Sequence, residues 1–235
     1  MIVNLHQGDC FHILEKISNN TIDMILTDIP YCISRENNFK TMKDRKNRNG
    51  IEFGDWDLSF DIRKLNSLIP LIKKGGSFFT FHAFEQYSDL LLVMKDLEIK
   101  DKLIWEKSNP MPRNRDRRYI ANIEMASWFV KKGANWVFYR QSEKYDKSIF
   151  TYPSESGGGF IRYHPNQKNV SMMKEIIKRH TNEGDLILDP FMGSGTVGVA
   201  CKELNRSFVG IEREHNYFQI AKKRIENENM DGLLF

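Results

Sequence analysis

The chain has 235 residues, 40% of them apolar and 28% charged. This size and composition suit one α/β domain with a sizeable core and exclude wholesale disorder. No apolar run approaches the ~18 residues of a membrane-spanning helix, and residues 1–9 lack a signal-peptide pattern, so we expect a cytoplasmic protein. Cys10, Cys32 and Cys201 are scattered, with no disulfide or metal-site spacing, which predicts free thiols and no bound metal.

The net charge of +4 is concentrated in one stretch. Residues 33–50 contain six basic and two acidic side chains, so this stretch alone accounts for the net charge. Its composition, rich in Asn and poor in large aliphatic residues, predicts a mobile basic loop at residues 32–53. Such a loop can be merely a solvated surface. The loop directly follows Asp28-Ile29-Pro30-Tyr31, a polar motif that is a candidate catalytic site. A basic loop beside such a site favours a polyanionic substrate instead.

Apolar periodicity predicts alternating strands and helices. In chain order we expect a strand at residues 2–6, a helix at 11–17, a strand at 22–27, a helix at 65–72, a turn at Gly75 and Gly76, a strand at 77–81, a helix at 84–95 and a strand at 103–105. A hairpin of residues 124–130 and 136–139 follows. Helices at 172–181, 196–204 and 216–227 then alternate with strands at 186–188 and 207–211. This order predicts a doubly wound, mostly parallel, Rossmann-like sheet covered on both faces.

Two polar motifs each follow a predicted buried strand. One is Asp28-Ile29-Pro30-Tyr31, and the other begins at Asp189 and continues through a Gly-rich turn. In a doubly wound sheet, ligands bind at the carboxyl ends of the strands. The two motifs therefore predict one site, although the first motif alone is also typical of a turn that ends a strand.

The turn at residues 193–198 matches GxGxxG, and Glu212 ends the next predicted strand. This pattern raises two alternatives, a nicotinamide dinucleotide site and a purely structural turn. The Asp189 carboxylate would repel a pyrophosphate, and no second mononucleotide-binding half follows. A cofactor with an adenosine and a positively charged amino-acid end fits better, which points to S-adenosylmethionine.

The ordered set of motifs resembles the β-class amino-methyltransferases of DNA, in which the catalytic motif precedes the cofactor motif. The matching segments span nearly the whole chain and are residues 7–10, 28–31, 54–57, 104–110, 164–168 and 189–196. The chain departs from the family pattern at two positions. Ile29 replaces the usual Pro but retains a backbone carbonyl, and Asn166 replaces the usual Thr but is still polar.

The resemblance implies a set of contacts with S-adenosylmethionine. Asp9 would reach the adenine, Glu212 the ribose, and the segment 164–168 the amino-acid carboxylate. Asp189 and the turn after it would contact the methionine end and the adenosine. The complete implied set is Asp9, Cys10, His164, Pro165, Asn166, Lys168, Asp189, Phe191, Gly193, Ser194, Gly195, Thr196 and Glu212.

The first motif fits methyl transfer to an exocyclic amine. That nitrogen is a poor nucleophile because its lone pair is delocalised, and acceptors at its N–H bonds make it tetrahedral. The Asp28 carboxylate and the Ile29 carbonyl can accept these bonds, with Pro30 stiffening the turn and Tyr31 stacking on a flipped-out base. No cysteine follows a proline, which argues against methylation at cytosine C5. By resemblance, Asp28 favours adenine N6, and cytosine N4 is the alternative.

The DNA contacts are expected on two basic segments. One is the loop, through Arg35, Lys43, Arg45, Lys46 and Arg48, and the other is the cluster Arg113, Arg115, Arg117 and Arg118. Phosphate contact or a solvated face is the alternative for the cluster. The expected organisation is a catalytic half at residues 1–130, a short target-recognition segment at 131–163 and a cofactor-binding half at 164–235.

The expected partners are double-stranded DNA, a second copy of the chain and a cognate restriction enzyme. Two rival functions remain open on the sequence alone. One is a methyltransferase acting on RNA or on a protein glutamine, because the same acceptors suit any planar amine or amide. The other is a non-catalytic DNA-binding module that has kept the fold, against which the intact Asp28, Tyr31 and Asp189 argue.

Overall fold

The computed structural model describes residues 1–31, 60–110, 116, 119–155, 163–164 and 166–227. Within this part of the chain the strands are β1 (Val3–Gln7), β2 (Ile22–Asp28), β3 (Ile72–His82), β4 (Glu98–Lys107), β5 (Ile123–Val130), β6 (Ile149–Tyr152), β7 (Leu186–Asp189) and β8 (Ser207–Glu212). The α-helices are α1 (Cys10–Leu14), α2 (Tyr87–Val93), α3 (Val170–His180), α4 (Thr196–Glu203) and α5 (His215–Glu226). Two 3-10 helices, Ile62–Leu71 and Phe84–Gln86, precede β3 and α2.

The eight described strands form one sheet in the order β1-β8-β7-β2-β3-β5-β4-β6. Strands β1, β8, β7, β2 and β3 are parallel, β5 runs antiparallel to β3 and β4, and β6 is parallel to β4. The expected mostly parallel α/β sheet is therefore confirmed. From β2 the chain continues to β3 on one side of the sheet, and from β7 it continues to β8 on the other side. The strand order therefore reverses between β2 and β7, where such sheets bind ligands.

Both faces of the sheet are covered, as the continuous apolar runs of the central strands require. In β2, Met24 and Leu26 belong to one core, which includes the buried side chains of α3, α4 and α5. Ile25, between them, belongs to the second core, with residues of α1, α2 and the 3-10 helix Ile62–Leu71. Alternation along the strand thus places successive side chains in different cores.

The expected turn at Gly75 and Gly76 is wrong, because β3 passes through both residues. Pairing with β2 shifts register between Ile22 and Met24, and Gly75 adopts a φ of +76°. A Cβ on Gly75 would lie 2.3 Å from the carbonyl oxygen of Asn135. The glycine therefore allows an irregularity and a close backbone approach within a strand.

The expected hairpin is also wrong in its second strand. Residues 136–139 form no strand, and Phe138 stacks on Trp128 with ring centroids 5.8 Å apart. The Tyr139 N–H donates to the Arg179 carbonyl at 2.7 Å. The apolar alternation there reflects packing onto the end of α3. Strand β6, which the sequence pattern missed, pairs with β4 instead, so part of the segment 131–163 belongs to the central sheet.

The remaining elements lie where they were expected, with shifted ends. The helix expected at residues 65–72 is a 3-10 helix over Ile62–Leu71, and the one expected at 84–95 is a 3-10 turn followed by α2. Among the described residues, no helix is both long and apolar enough to cross a membrane.

Candidate active site

A cavity of about 210 Å³ lies at the carboxyl ends of β2 and β7. It brings together most of the residues that the sequence singled out, namely Asp9, Cys10, Asp28, Ile29, Pro30, Tyr31, His164, Asn166, Lys168, Asp189, Phe191, Gly193, Ser194, Thr196 and Glu212. Gly195 does not line it, and Pro165 lies outside the described residues. The two motifs thus meet in one cavity although they are far apart in the chain.

The Gly-rich turn joins β7 to α4. Gly193 and Gly195 have φ values of +53° and +81°, which side chains rarely adopt. Gly195 is the N-cap of α4, and a Cβ there would lie 2.9 Å from the Cβ of Ala221 on α5. Ser194 is held from the same helix by Arg224, which donates to its carbonyl at 2.6 Å and to its Oγ at 2.9 Å. The turn is therefore fixed by α5 from behind.

Asp189 is buried at the start of this turn. Its Oδ1 accepts hydrogen bonds from the Thr27 hydroxyl at 2.7 Å and the Phe191 N–H at 3.2 Å. Burial raises the pKa of Asp189 to about 7, with Asp28 and Glu212 adding to the rise and the two hydrogen bonds opposing it. A buried acid with its pKa raised in this way favours a cationic group beside it.

Glu212 ends β8 on the same side of the cavity. Its two carboxylate oxygens accept from the Gly193 and Glu214 N–H groups, each at 2.8 Å. Burial is the main cause that raises its pKa. An ionised carboxylate has more acceptor sites than these two bonds use, so Glu212 can also accept from hydroxyl groups of a ligand.

Three aromatic rings form an apolar wall of the cavity. Phe191 meets Phe11 and Phe60 edge to face, with centroids 6.2 and 5.4 Å away. The sequence analysis did not select Phe11 or Phe60. It also missed other lining residues, namely Thr27, Asp61, Lys64, Met173, Val197, Arg213, Glu214 and Tyr217. Several of them directly adjoin a motif, which is the signal that could have found them.

Residues of the segment 164–168 also line the cavity. The His164 ring accepts the Asn166 N–H at its Nδ1, 3.1 Å away, and packs against Tyr217 with centroids 4.4 Å apart. Lys168 points differently from what the family resemblance implies. Its ammonium binds Asp28 Oδ2 and lies 3.0 Å from Glu124 Oε2.

Glu124, at the start of β5, was not selected from the sequence. It lies between two ammonium groups, because Lys107 binds its other carboxylate oxygen at 2.6 Å. Burial works against its charge, but Lys168 and Lys107 together lower the pKa of Glu124 to about 2. Burial raises the pKa of Asp28 above 3.8, with Lys168 opposing the rise and Glu124 adding to it. Among the residues that the structure describes, Asp28 has one cationic neighbour where Glu124 has two.

The backbone around Asp28 is held by β3 and the turn after it. The Ile29 N–H donates to the Phe81 carbonyl at 3.2 Å, and the Pro30 carbonyl accepts from Gln86 Nε2 at 2.8 Å. The Tyr31 hydroxyl donates to Glu124 Oε2 at 3.4 Å. The motif thus presents a carboxylate, a rigid turn and an aromatic ring to one cavity.

The residues expected to contact DNA are all outside the described part of the chain. They are Arg35, Lys43, Arg45, Lys46, Arg48, Arg113, Arg115, Arg117 and Arg118. Their roles stay predictions from the sequence.

Comparison with known proteins decides the family. The family model described as DNA methylase matches residues 22–223, which include both motifs. The chain belongs to the DNA methylase family. This confirms the resemblance predicted from the order of the motifs, and with it an enzyme fold.

Individual relatives agree with this family assignment. The Type II methyltransferase M2.LlaDCHI of Lactococcus lactis subsp. cremoris is 31% identical over 255 residues, an alignment that covers 97% of this chain and 91% of the relative. The crystal structure of an M1.HpyAVI–SAM complex is 36% identical with a TM-score of 0.76, covering 95% of this chain and 99% of that chain. PvuII DNA methyltransferase, described as cytosine-N4-specific, has a TM-score of 0.74 at 17% identity, covering 95% and 86% of the two chains. That last likeness concerns the fold alone.

Proposed function

We propose that this protein transfers a methyl group from S-adenosylmethionine to N6 of adenine in DNA. The observation that carries the proposal is the shared cavity, where the catalytic carboxylate Asp28 and the cofactor carboxylate Asp189 lie at the ends of adjacent parallel strands. Membership of the DNA methylase family and the likeness to a methyltransferase–SAM complex support it.

S-adenosylmethionine is the cofactor, and its chemistry suits the residues present. The cavity edge carries several carboxylates, of which Asp189 is buried and has a raised pKa. They match a ligand with positive charge at its sulfur and its amino group. Asp189 would hold the charged end, Glu212 the ribose and the wall of Phe11, Phe60 and Phe191 the adenine. When bound, the cofactor supplies an electrophilic methyl group.

The residues of the first motif act on the target amine. Asp28 and the Ile29 carbonyl would accept hydrogen bonds from its two N–H groups, which frees the nitrogen lone pair for in-line attack. The new N–C bond would form as the C–S bond breaks, with the electron pair staying on sulfur, and the Asp28 carboxylate is placed to take the proton that the methylated nitrogen loses. Tyr31 provides an aromatic face for the base. A base inside a duplex cannot reach the cavity, so the target nucleotide must leave the stack at a cost of a few kcal/mol. No covalent bond to the protein forms in this scheme.

The choice of adenine rests on Asp28, which, by the resemblance to the β-class amino-methyltransferases, favours adenine N6. The basic loop and Arg cluster are proposed to bind DNA, and residues 131–163 to read the target sequence. Formation of a homodimer, a cognate restriction enzyme and a cytoplasmic location stay predictions from the sequence.

The deciding experiment identifies the modified nucleoside. The purified protein is incubated with S-adenosylmethionine and unmethylated genomic DNA, which is then digested and analysed by mass spectrometry. N6-methyladenine is expected. N4-methylcytosine would retain the acceptor chemistry and overturn the base assignment. No methylated nucleoside in the DNA, with methyl transfer to RNA or protein in parallel incubations, would overturn the proposed substrate.

A further inference from the structure

Asp28 ends a row of alternating charges that includes residues of β4, β5 and the segment before α3. Lys107 on β4 binds Glu124 on β5, Glu124 lies 3.0 Å from Lys168, and Lys168 binds Asp28 at the end of β2. The Lys168 side chain is only 4% exposed, so this ammonium is almost completely removed from water. Charges that are desolvated to this degree hold one another strongly, because removal of one leaves the next uncompensated.

The Lys168 ammonium already faces three acceptors of the protein. An ammonium group has three N–H donors. In the structure its neighbours are Asp28 Oδ2, Glu124 Oε2 at 3.0 Å and the Tyr31 hydroxyl at 3.3 Å. The ammonium also faces the Tyr31 and Phe81 rings at 5.4 and 5.2 Å. These contacts differ from the binding of a cofactor carboxylate that the family resemblance implies for this residue.

Asp28 keeps free acceptor capacity in this arrangement. An ionised carboxylate offers about four lone-pair sites, and Lys168 uses one at Oδ2. Within the described residues, Oδ1 is buried and has no hydrogen-bond partner. Without the Lys168 ammonium, Asp28 and Glu124 would be two buried carboxylates near each other, and such pairs do not both stay ionised. A protonated Asp28 would be a poor acceptor.

We propose that Lys168 and Glu124 are positioning residues for Asp28: Lys168 keeps the Asp28 carboxylate ionised, and Glu124 holds the Lys168 ammonium in place, so that the carboxylate is oriented to accept the target amine. This inference rests on the proposed role of Asp28 and adds to it the source of its orientation. Lys168 binds Asp28 directly, and Glu124 keeps the ammonium in place from the other side. Both act through Asp28 and touch neither substrate nor cofactor.

The test is the pH dependence of kcat at saturating cofactor and DNA. The described charged and titratable groups that face Asp28 are Lys168, Glu124, Tyr31 and Asp189, with Lys107 behind Glu124. The acid limb is the part of the pH profile where kcat falls as Asp28 becomes protonated. Lys168→Met removes the compensating charge and should move this limb to higher pH by about one unit or more. At a given pH on the limb, that shift is a tenfold or greater loss of rate. Glu124→Gln removes a like charge and should move the limb to lower pH.

The acid limb should therefore shift in opposite directions in Lys168→Met and Glu124→Gln. A merely structural role of the two residues would not produce opposite shifts. Calorimetry should show that Lys168→Met changes the affinity for S-adenosylmethionine by less than about threefold, since its ammonium faces Asp28, Glu124 and Tyr31. Lys168→Arg, which keeps the charge, should restore the native limb. Lys178→Met, on the exposed side of α3, is the matched control and should change none of these quantities.

Several outcomes would overturn the positioning role. They are an unmoved acid limb, shifts of the same sign in both variants, or a tenfold loss of cofactor affinity in Lys168→Met with an unmoved limb. If Lys168→Met does not fold, the test relies on Glu124→Gln. An acid limb of kcat that does not move to lower pH in that variant rejects the inference. Asp28→Ala separates the two proposals. Full activity in that variant rejects the acceptor itself, whereas inactivity with unmoved limbs in the other variants rejects only the positioning.

Discussion

The Thr27 hydroxyl donates a hydrogen bond of 2.7 Å to Oδ1 of Asp189. This bond joins the residue before the catalytic carboxylate on β2 to the first residue of the proposed cofactor turn after β7. Both partners are buried, so the bond is shielded from competing water. The relative position of the two motifs is therefore fixed by the central sheet and not by mobile loops.

Asp28→Ala should slow methyl transfer strongly while cofactor binding remains. Loss of one preorganised hydrogen-bonding group from a catalytic site typically lowers kcat by roughly a hundred- to a thousandfold. Transfer of labelled methyl groups to DNA measures the first effect and calorimetry the second. A variant with native kcat would show that another group accepts the amine.

Asp189 should make cofactor affinity depend on pH. The pKa of about 7 means that a cationic ligand must displace a proton at lower pH. Affinity should therefore fall about tenfold from pH 8 to pH 6, with about half a proton released on binding at pH 7. Calorimetry in buffers of different ionisation enthalpy measures both quantities. Asp189→Asn should weaken binding and remove the dependence, whereas the exposed Asp96→Asn should not.

The same carboxyl group affects stability with a definite sign. Its folded-state pKa lies above the ordinary 3.8, so its contribution to the free energy of unfolding is complete below about pH 4 and is lost as the pH rises through 7. In the absence of cofactor, Asp189→Asn should therefore become more stable relative to the native protein as the pH is raised from 4 to 8. Urea unfolding at several pH values measures this difference, and a constant difference would contradict it.

Gly195→Ala should destabilise the protein more than Gly184→Ala. Both residues have a positive φ, +81° and +86°, so both substitutions carry a backbone penalty of about 1 kcal/mol. Only at Gly195 does the new methyl group meet close neighbours, whereas at Gly184 nothing lies within 4 Å. The difference between the two variants, about 1–3 kcal/mol in urea unfolding, isolates the packing of α4 against α5. Equal losses would show that this packing relaxes freely.

Lys131→Met should lower stability without affecting methylation. Its ammonium donates to the carbonyls of Ile69, Pro70 and Ile72 at 3.1, 3.3 and 2.7 Å, where the 3-10 helix Ile62–Leu71 meets β3. The loss leaves carbonyls without their donor, at a cost of about 1–3 kcal/mol in urea unfolding. The neighbouring, exposed Lys132→Met is the control. A change in target sequence instead would assign Lys131 to recognition.

The basic loop should contribute mainly non-specific DNA affinity. The double variant Arg45→Gln and Lys46→Gln removes two charges, so the slope of log K against log salt should decrease by about two. The preferred target sequence should stay the same, since phosphate contacts carry no sequence information. Fluorescence anisotropy at several salt concentrations measures the slope. An unchanged slope would remove these two residues from the DNA interface.

The sequence by itself determined the family, the sheet class and the two central motifs. These features are local, because a buried strand that ends in a polar turn leaves the same pattern of residues wherever it lies in the chain. Residues 22–31 and 186–196 therefore predicted both the elements and the chemistry at their ends. The same local reasoning failed at residues 136–139, where apolar side chains pack on α3 and no strand forms.

Only the tertiary structure decided which charges surround Asp28. Lys168 and Asp28 are 140 residues apart in the chain, and Glu124 belongs to a third segment. No periodicity or spacing connects them, because their contact arises from the order of strands in the sheet. Burial then gives the contact its strength, since the same charges in water would interact weakly. The sequence thus supplied the acceptor, and the fold supplied the charged residues that hold it.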